Sequence, residues 1–185
     1  MVVPLRVFVA VPVPDEVRHR IVASLDAVVD TIPGRVVRPG NWHVTLRFLG
    51  EIDDLGYDML VSRLAETDLG RKFRLRWAGL GAFPHPERAT VLWMGLDQGE
   101  DALSTLAKTV DTAIDRAGFP PEDRPFNPHL TLSRLRPIED VSALVATTAP
   151  FAIPMEVDRV TLYQSLLGSS GAAYQVLEEF PLTTG

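Results

Sequence analysis

A four-residue stretch occurs twice in this chain, as His43-Val44-Thr45-Leu46 and as His129-Leu130-Thr131-Leu132. Both copies alternate polar and apolar residues, the pattern of a half-buried strand. On such a strand, residues two apart point the same way. His43 and Thr45 therefore share one face, as do His129 and Thr131, while Val44, Leu46, Leu130 and Leu132 enter a core. Each copy offers an imidazole and a hydroxyl side by side.

The two copies sit in matching frames. The first runs Trp42-His43-Val44-Thr45-Leu46-Arg47-Phe48-Leu49, the second Pro128-His129-Leu130-Thr131-Leu132-Ser133-Arg134-Leu135. The same offset of 86 residues relates Ile52 to Ile138, Asp53 to Glu139 and Asp54 to Asp140. A strand, helix, motif strand, helix and long strand follow one another in each half. The expectation is an α+β fold built as one bilobal domain over 1–185, with an internal duplication of roughly 1–88 and 89–185. Each lobe is an antiparallel sheet with helices on its outer face. The two face each other across a central cleft.

The elements follow from local pattern. Residues 5–12 read as a buried first strand. Pro14-Asp15-Glu16 opens a helix whose inner stripe is Val17, Ile21, Leu25 and Val28-Val29, and Pro33-Gly34 stops it. After a strand carrying the first motif and ended by Gly50, Asp53-Asp54 opens a second helix to about residue 65, with Leu55, Met59, Leu60 and Leu64 inward. Strands are expected over 73–80 and 90–96, with a loop at 81–86. A third helix spans about 100–117, with Leu103, Leu106, Val110 and Ile114 buried and Gly118 at its end. A proline-rich linker, 120–128, delivers the second motif strand, 129–135. Pro137 with Glu139-Asp140 opens a fourth helix, and strands follow at 157–164 and 173–180, joined by a Gly168-Ser169-Ser170-Gly171 turn.

Composition narrows the chemistry. A formal net charge of -6 excludes a protein that coats long nucleic acid by bulk electrostatics. Lys72 and Lys108 are the only lysines; the arginines that make up the other cations suit local phosphate recognition. The absence of cysteine excludes disulfides, thiolate metal sites and a cysteine nucleophile, and is compatible with the cytoplasm. No apolar run is long enough for a membrane span, and residues 5–13 read as a strand, not a signal peptide.

Two facing His-x-Thr strands suit a phosphodiester. In-line displacement needs a base on one side of phosphorus and an acid on the other. Histidine serves either role near neutral pH. The two threonine hydroxyls can donate to the non-bridging oxygens. The scheme requires no metal and no cofactor. It does require one imidazole neutral and the other charged, hence a bell-shaped pH–rate profile. By strict alternation Arg47 and Ser133 share the His face and are candidates for substrate contact.

The chain resembles the 2H phosphoesterase superfamily, in particular the bacterial and archaeal RNA 2′,3′-cyclic phosphodiesterases, also called 2′-5′ RNA ligases. The resemblance rests on Arg6-Val7-Phe8-Val9-Ala10, residues 43–51 (HVTLRFLGE), Gly81-Ala82-Phe83-Pro84 and residues 126–134 (FNPHLTLSR). Tyr163-Gln164-Ser165 and Gly171-Ala172-Ala173-Tyr174 extend it. It implies metal-independent hydrolysis of a terminal 2′,3′-cyclic phosphate to a 2′-phosphate, with His43 as proton donor and His129 as proton acceptor. The same resemblance implies that Thr45 and Thr131 bind phosphate, that Arg134 contacts it and that Phe48 can stack on a base. Arg134 and Phe48 lie five residues after a histidine, on the opposite face by strict alternation; a bulge would have to swing them round. The implied partners are RNA ends or small nucleotides carrying a 2′,3′-cyclic phosphate, met by a cytoplasmic monomer with no membrane attachment. Two other readings compete: a metal-dependent phosphohydrolase using both histidines, and a non-catalytic nucleotide or RNA-end binding module.

Overall fold

The computed structural model describes residues 5–168 and 171–184. Among these residues, nine strands form two antiparallel sheets. In chain order the elements are β1 (Leu5–Pro12), α1 (Asp15–Leu25), β2 (Arg35–Val36), β3 (His43–Ile52), α2 (Asp54–Glu66), β4 (Phe73–Phe83), β5 (Ala89–Gln98), α3 (Glu100–Arg116), β6 (Leu130–Glu139), α4 (Ser142–Thr147), β7 (Ile153–Val157), β8 (Arg159–Gly168) and β9 (Gly171–Pro181). One sheet has the order β3-β1-β8-β9 and the other β2-β6-β5-β4-β7. A boundary at 88/89 does not separate them: each sheet takes strands from both sides of it. In both, the motif strand lies beside the strand that opens its own half, followed by a strand supplied by the other half.

The helices cover these sheets by ordinary amphipathic packing. The expected stripe of α3 is buried at Leu103, Leu106, Val110 and Ile114, and Gly118 ends the helix at φ 94°. α3 touches both β3 and β4, so it links the two sheets. Asp53 caps α2 by accepting a hydrogen bond from the Gly56 N–H at 2.8 Å. No helix among the described residues is long and apolar enough to cross a membrane.

Several local expectations differ from the structure. α1 ends at Leu25, before Val28-Val29, and a 3-10 turn fills Val29–Thr31. Leu55 and Met59 are exposed; only Leu60 and Leu64 carry the core side of α2. Gly50 does not end β3, which runs on to Ile52 with Gly50 at φ 75°. β4 continues through Phe83, so the first half of the expected 81–86 loop is strand. Pro137 lies inside β6 instead of opening a helix, and α4 starts at Ser142, whose N–H and hydroxyl both donate to Asp140. β6 past Leu135 is exposed, where a missing N–H is tolerated. The short strand β7 was not expected. Of the expected 168–171 turn, Ser169 and Ser170 lie outside the described residues.

Candidate active site

The motif strands β3 and β6 each carry a bulge at the same place. On β3, Thr45 pairs with Ala10 and Arg47 with Val9, leaving Leu46 between them unpaired. On β6, Thr131 pairs with Trp93 and Ser133 with Leu92, leaving Leu132 unpaired on that side. A bulge inserts one residue and reverses the alternation beyond it. Burial shows the reversal directly. Leu46 and Arg47 are buried in succession, as are Leu132 and Ser133; Phe48 and Arg134 then emerge exposed.

Strict alternation therefore fails at these positions. Arg47 is 5% exposed and Ser133 fully buried, so neither stands free on the His face. The Arg47 guanidinium borders the cavity but is committed to Asp111 of α3 and to the Pro120 carbonyl. Ser133 donates its hydroxyl to the Pro33 carbonyl. His43, Thr45, Phe48, His129, Thr131 and Arg134 instead line a single cavity of about 540 Å³. This volume falls within the usual range for small-ligand sites.

The two imidazoles are held alike. His43 Nδ1 lies 2.8 Å from the Asn41 carbonyl and His129 Nδ1 lies 2.7 Å from the Asn127 carbonyl. A carbonyl oxygen can only accept, so in each ring Nδ1 carries the proton. Each Nε2 is then the basic nitrogen. His43 Nε2 is 3.1 Å from the Thr45 hydroxyl, which can donate to it.

Aromatic side chains wall both rings. Phe8 lies 4.8 Å from His43 between ring centres, and Tyr174 approaches it edge-on at 5.2 Å. Phe83 meets His129 edge-on at 4.9 Å, and Trp93 lies 6.3 Å away. Trp93 in turn lies over Gly81, where a Cβ would come within 2.2 Å of its ring. Such surroundings penalise the charged imidazolium. Burial pulls the His43 pKa from 6.5 to about 4, against the raising influence of the Asn41 carbonyl, with Arg134 and His129 lowering it further. Burial likewise lowers His129, opposed by the Asn127 carbonyl and assisted by Arg134. The Arg134 charge thus reaches both rings.

The rest of the cavity comes from α3 (Ser104, Lys108, Asp111), from the segment leading to β6 (Glu122, Arg124, Phe126) and from Tyr174 of β9. Glu122 and Arg124 pair with each other, and Asp111 with Arg47. Arg134 and Lys108 make no ion pair among the described residues. Among those residues, no group of three His, Asp or Glu side chains could hold a metal ion.

Sequence reasoning missed several participants. Asn41 and Asn127 fix the ring tautomers through their carbonyls, and Asn41 also donates its side-chain amide to the Ala172 carbonyl at 2.8 Å. The signal was present, because these asparagines are themselves 86 residues apart. Lys108 gave no signal, being one polar residue on the outer side of an amphipathic helix.

Comparison with known proteins follows the same outline. A family model described as the 2′-5′ RNA ligase superfamily matches residues 13–168. An Aeropyrum pernix protein named RNA 2′,3′-cyclic phosphodiesterase is 34% identical over 165 residues, covering 86% of this chain and 93% of that protein. One of the same name from Aquifex aeolicus is 35% identical over 174 residues, covering 91% and 90%. A crystal structure of E. coli LigT complexed with 3′-AMP superposes with a TM-score of 0.80 at 30% identity, covering 98% of this chain and all of that one (100%).

Proposed function

The chain belongs to the 2′-5′ RNA ligase superfamily, and on that premise we propose that it hydrolyses RNA or nucleotide 2′,3′-cyclic phosphates to 2′-phosphates by acid–base catalysis between His43 and His129. The relatives' shared name, RNA 2′,3′-cyclic phosphodiesterase, supports the reaction class. The observation that carries the mechanism is the matched pair of imidazoles in one cavity, each with Nδ1 tied back and Nε2 basic.

The cyclic phosphate sits between the two rings. Thr45 and Thr131 donate to its non-bridging oxygens, and Arg134 supplies the cation. His129 Nε2 takes a proton from the attacking water as the new P–O bond forms. The P–O3′ bond breaks on the opposite side, and protonated His43 gives its Nε2 proton to the departing 3′ oxygen. The product carries a 2′-phosphate and a free 3′ hydroxyl. Exchange with solvent then returns a proton to His43 and removes one from His129. Phe48 offers a face to the base. The donor and acceptor roles follow the family resemblance; the matched tautomers are compatible with the reaction run in either direction. Reversed, with a 5′ hydroxyl in place of water, the same relay forms a 2′-5′ linkage.

Burial disfavours the charged form of both rings in the free protein. Protonation of His43 is therefore coupled to binding, because an anionic phosphate offsets the positive field of Arg134. The proposal takes the acting unit as a cytoplasmic monomer, with both motifs on one chain. It also takes 1–185 as an internal duplication of roughly 1–88 and 89–185, supported by the parallel strand orders β3-β1-β8-β9 and β6-β5-β4-β7.

The test is turnover of nucleoside 2′,3′-cyclic phosphates in EDTA by wild type, His43→Ala and His129→Ala, with the product isomer identified. Wild type should yield the 2′-phosphate, and each variant should lose at least about 100-fold in kcat. No turnover by wild type, activity lost to the chelator, or full activity in either variant would overturn the proposal.

A further inference from the structure

Arg47 and Ser133 occupy the same place in the two motif strands, 86 residues apart and directly after the unpaired leucine of each bulge. Both are buried, and buried polar groups need partners. Neither finds its backbone partner within its own motif. The Arg47 guanidinium reaches the carbonyl of Pro120, the residue that heads the approach to His129. The Ser133 hydroxyl reaches the carbonyl of Pro33, which heads the approach to His43, at 2.5 Å. The contacts are reciprocal: each motif strand grips the segment that delivers the other histidine.

Further contacts run the same way. Residues 35–36 form β2, the edge strand beside β6, so the approach to His43 is hydrogen-bonded to the sheet that carries the second motif. The Val37 N–H donates to the carbonyl of Leu132, the unpaired bulge residue, at 2.8 Å. Gly34 has φ 78°, and a Cβ there would come within 2.6 Å of the Arg134 carbonyl, so this approach lies hard against β6. On the other side, Arg47 also pairs with Asp111, with Asp115 at 3.7 Å, fixing the last turns of α3 from which the second approach departs.

We propose that Arg47 and Ser133 are positioning residues that latch the two halves of the cavity crosswise, each setting the place of the histidine on the opposite strand. In-line transfer between two separate groups needs their separation held to a fraction of an ångström. Anchoring each histidine only through its own strand would leave that separation to the packing of two sheets. Crossed latches tie it to two hydrogen bonds. The inference rests on the proposed function only in treating the distance between the histidines as the quantity that matters; the latches themselves are read without substrate.

The test is histidine-selective NMR of the free, full-length protein, following the ring Cε1–H resonances of His43 and His129. They are assigned with His43→Gln and His129→Gln. Arg47→Met should shift His129 more than His43, and Ser133→Ala should shift His43 more than His129. A merely local role predicts the reverse, since each substituted residue stands four positions from the histidine of its own strand. Either variant moving its own strand's histidine more, or both histidines equally, overturns the proposal. Ser133→Ala deletes one hydroxyl, so it decides the question alone if Arg47→Met does not fold. Turnover is read separately on the same samples. If wild type is active, each variant should lower kcat roughly tenfold with a smaller change in KM. An inactive wild type with the crossed shift pattern leaves the latches standing and removes the hydrolase reading.

Discussion

Leu46 and Leu132 lie 86 residues apart, and each is the unpaired residue of a bulge that follows a His-x-Thr sequence. Their side chains are buried, so the extra residue of each bulge is spent on the core. Because of the two leucines, Phe48 and Arg134 face the cavity while Arg47 and Ser133 turn inward. The reversal puts a cation within reach of both imidazoles, and its electrical effect can be measured.

Removing the Arg134 charge should raise the pKa of both histidines, because a neighbouring cation disfavours the imidazolium. In the free protein His43 should titrate near pH 4 and His129 below 6.5. NMR titration of wild type and Arg134→Met would show both midpoints moving upward together. Inorganic phosphate should move them the same way in wild type and much less in the variant.

Stability should fall on acidification through a window set by His43. The unfolded imidazole takes its proton near pH 6.5, the folded one only near 4. Between those values the unfolded state binds more protons, so stability is full above 6.5 and declines as pH drops to 4. At roughly 1.4 kcal/mol per unit, this one residue accounts for about 3 kcal/mol. His43→Gln should flatten that part of the curve relative to wild type. Urea unfolding at pH 7, 5.5 and 4.5 would measure it, and identical slopes for the two proteins would remove His43 as the cause.

Thr45→Val and Thr131→Val keep the strand shape and delete one donor each. Each should lower kcat by about 100-fold on a cyclic nucleotide, the usual cost of losing an oxyanion donor. Serine at either position should restore most of the activity. A loss confined to KM would place the hydroxyls in ground-state binding alone.

Gly34→Ala should destabilise the fold although the residue is outside the cavity. Its φ of 78° disfavours any Cβ, and that Cβ would press on the Arg134 backbone. A loss of about 2 kcal/mol, hence about 5 °C in Tm, is expected. Thermal unfolding followed by circular dichroism reads it directly.

The fold class and the four motif residues were legible because periodicity and repetition are properties of sequence. α3 was legible for the same reason: its apolar stripe is long and regular. The bulges were not. A residue inserted into a ladder is defined by what the neighbouring strand pairs with, and His43 to Phe48 read alone gives only perfect alternation. Pro137 misled in a related way. Proline next to acidic residues marks a helix start in isolation, yet at an exposed strand end it costs the sheet little. Lys108 stayed hidden because a cation on a solvated helix face looks the same whether or not a cavity opens beside it.

The exchange of strands between the two halves also sets when the protein can come into being. β1 pairs with β3 on one side and on the other with residues 161–164 of β8, more than 150 positions downstream. A chain emerging from the ribosome can bring β1 and β3 together early, but their sheet stays open along the β1 edge until β8 arrives. The wall that carries His43 is thus among the last parts to close. A chain truncated before β8 would hold both histidine motifs and still leave β1 unpaired on one side, so residues 161–164 must be made before the sheet behind His43 is complete.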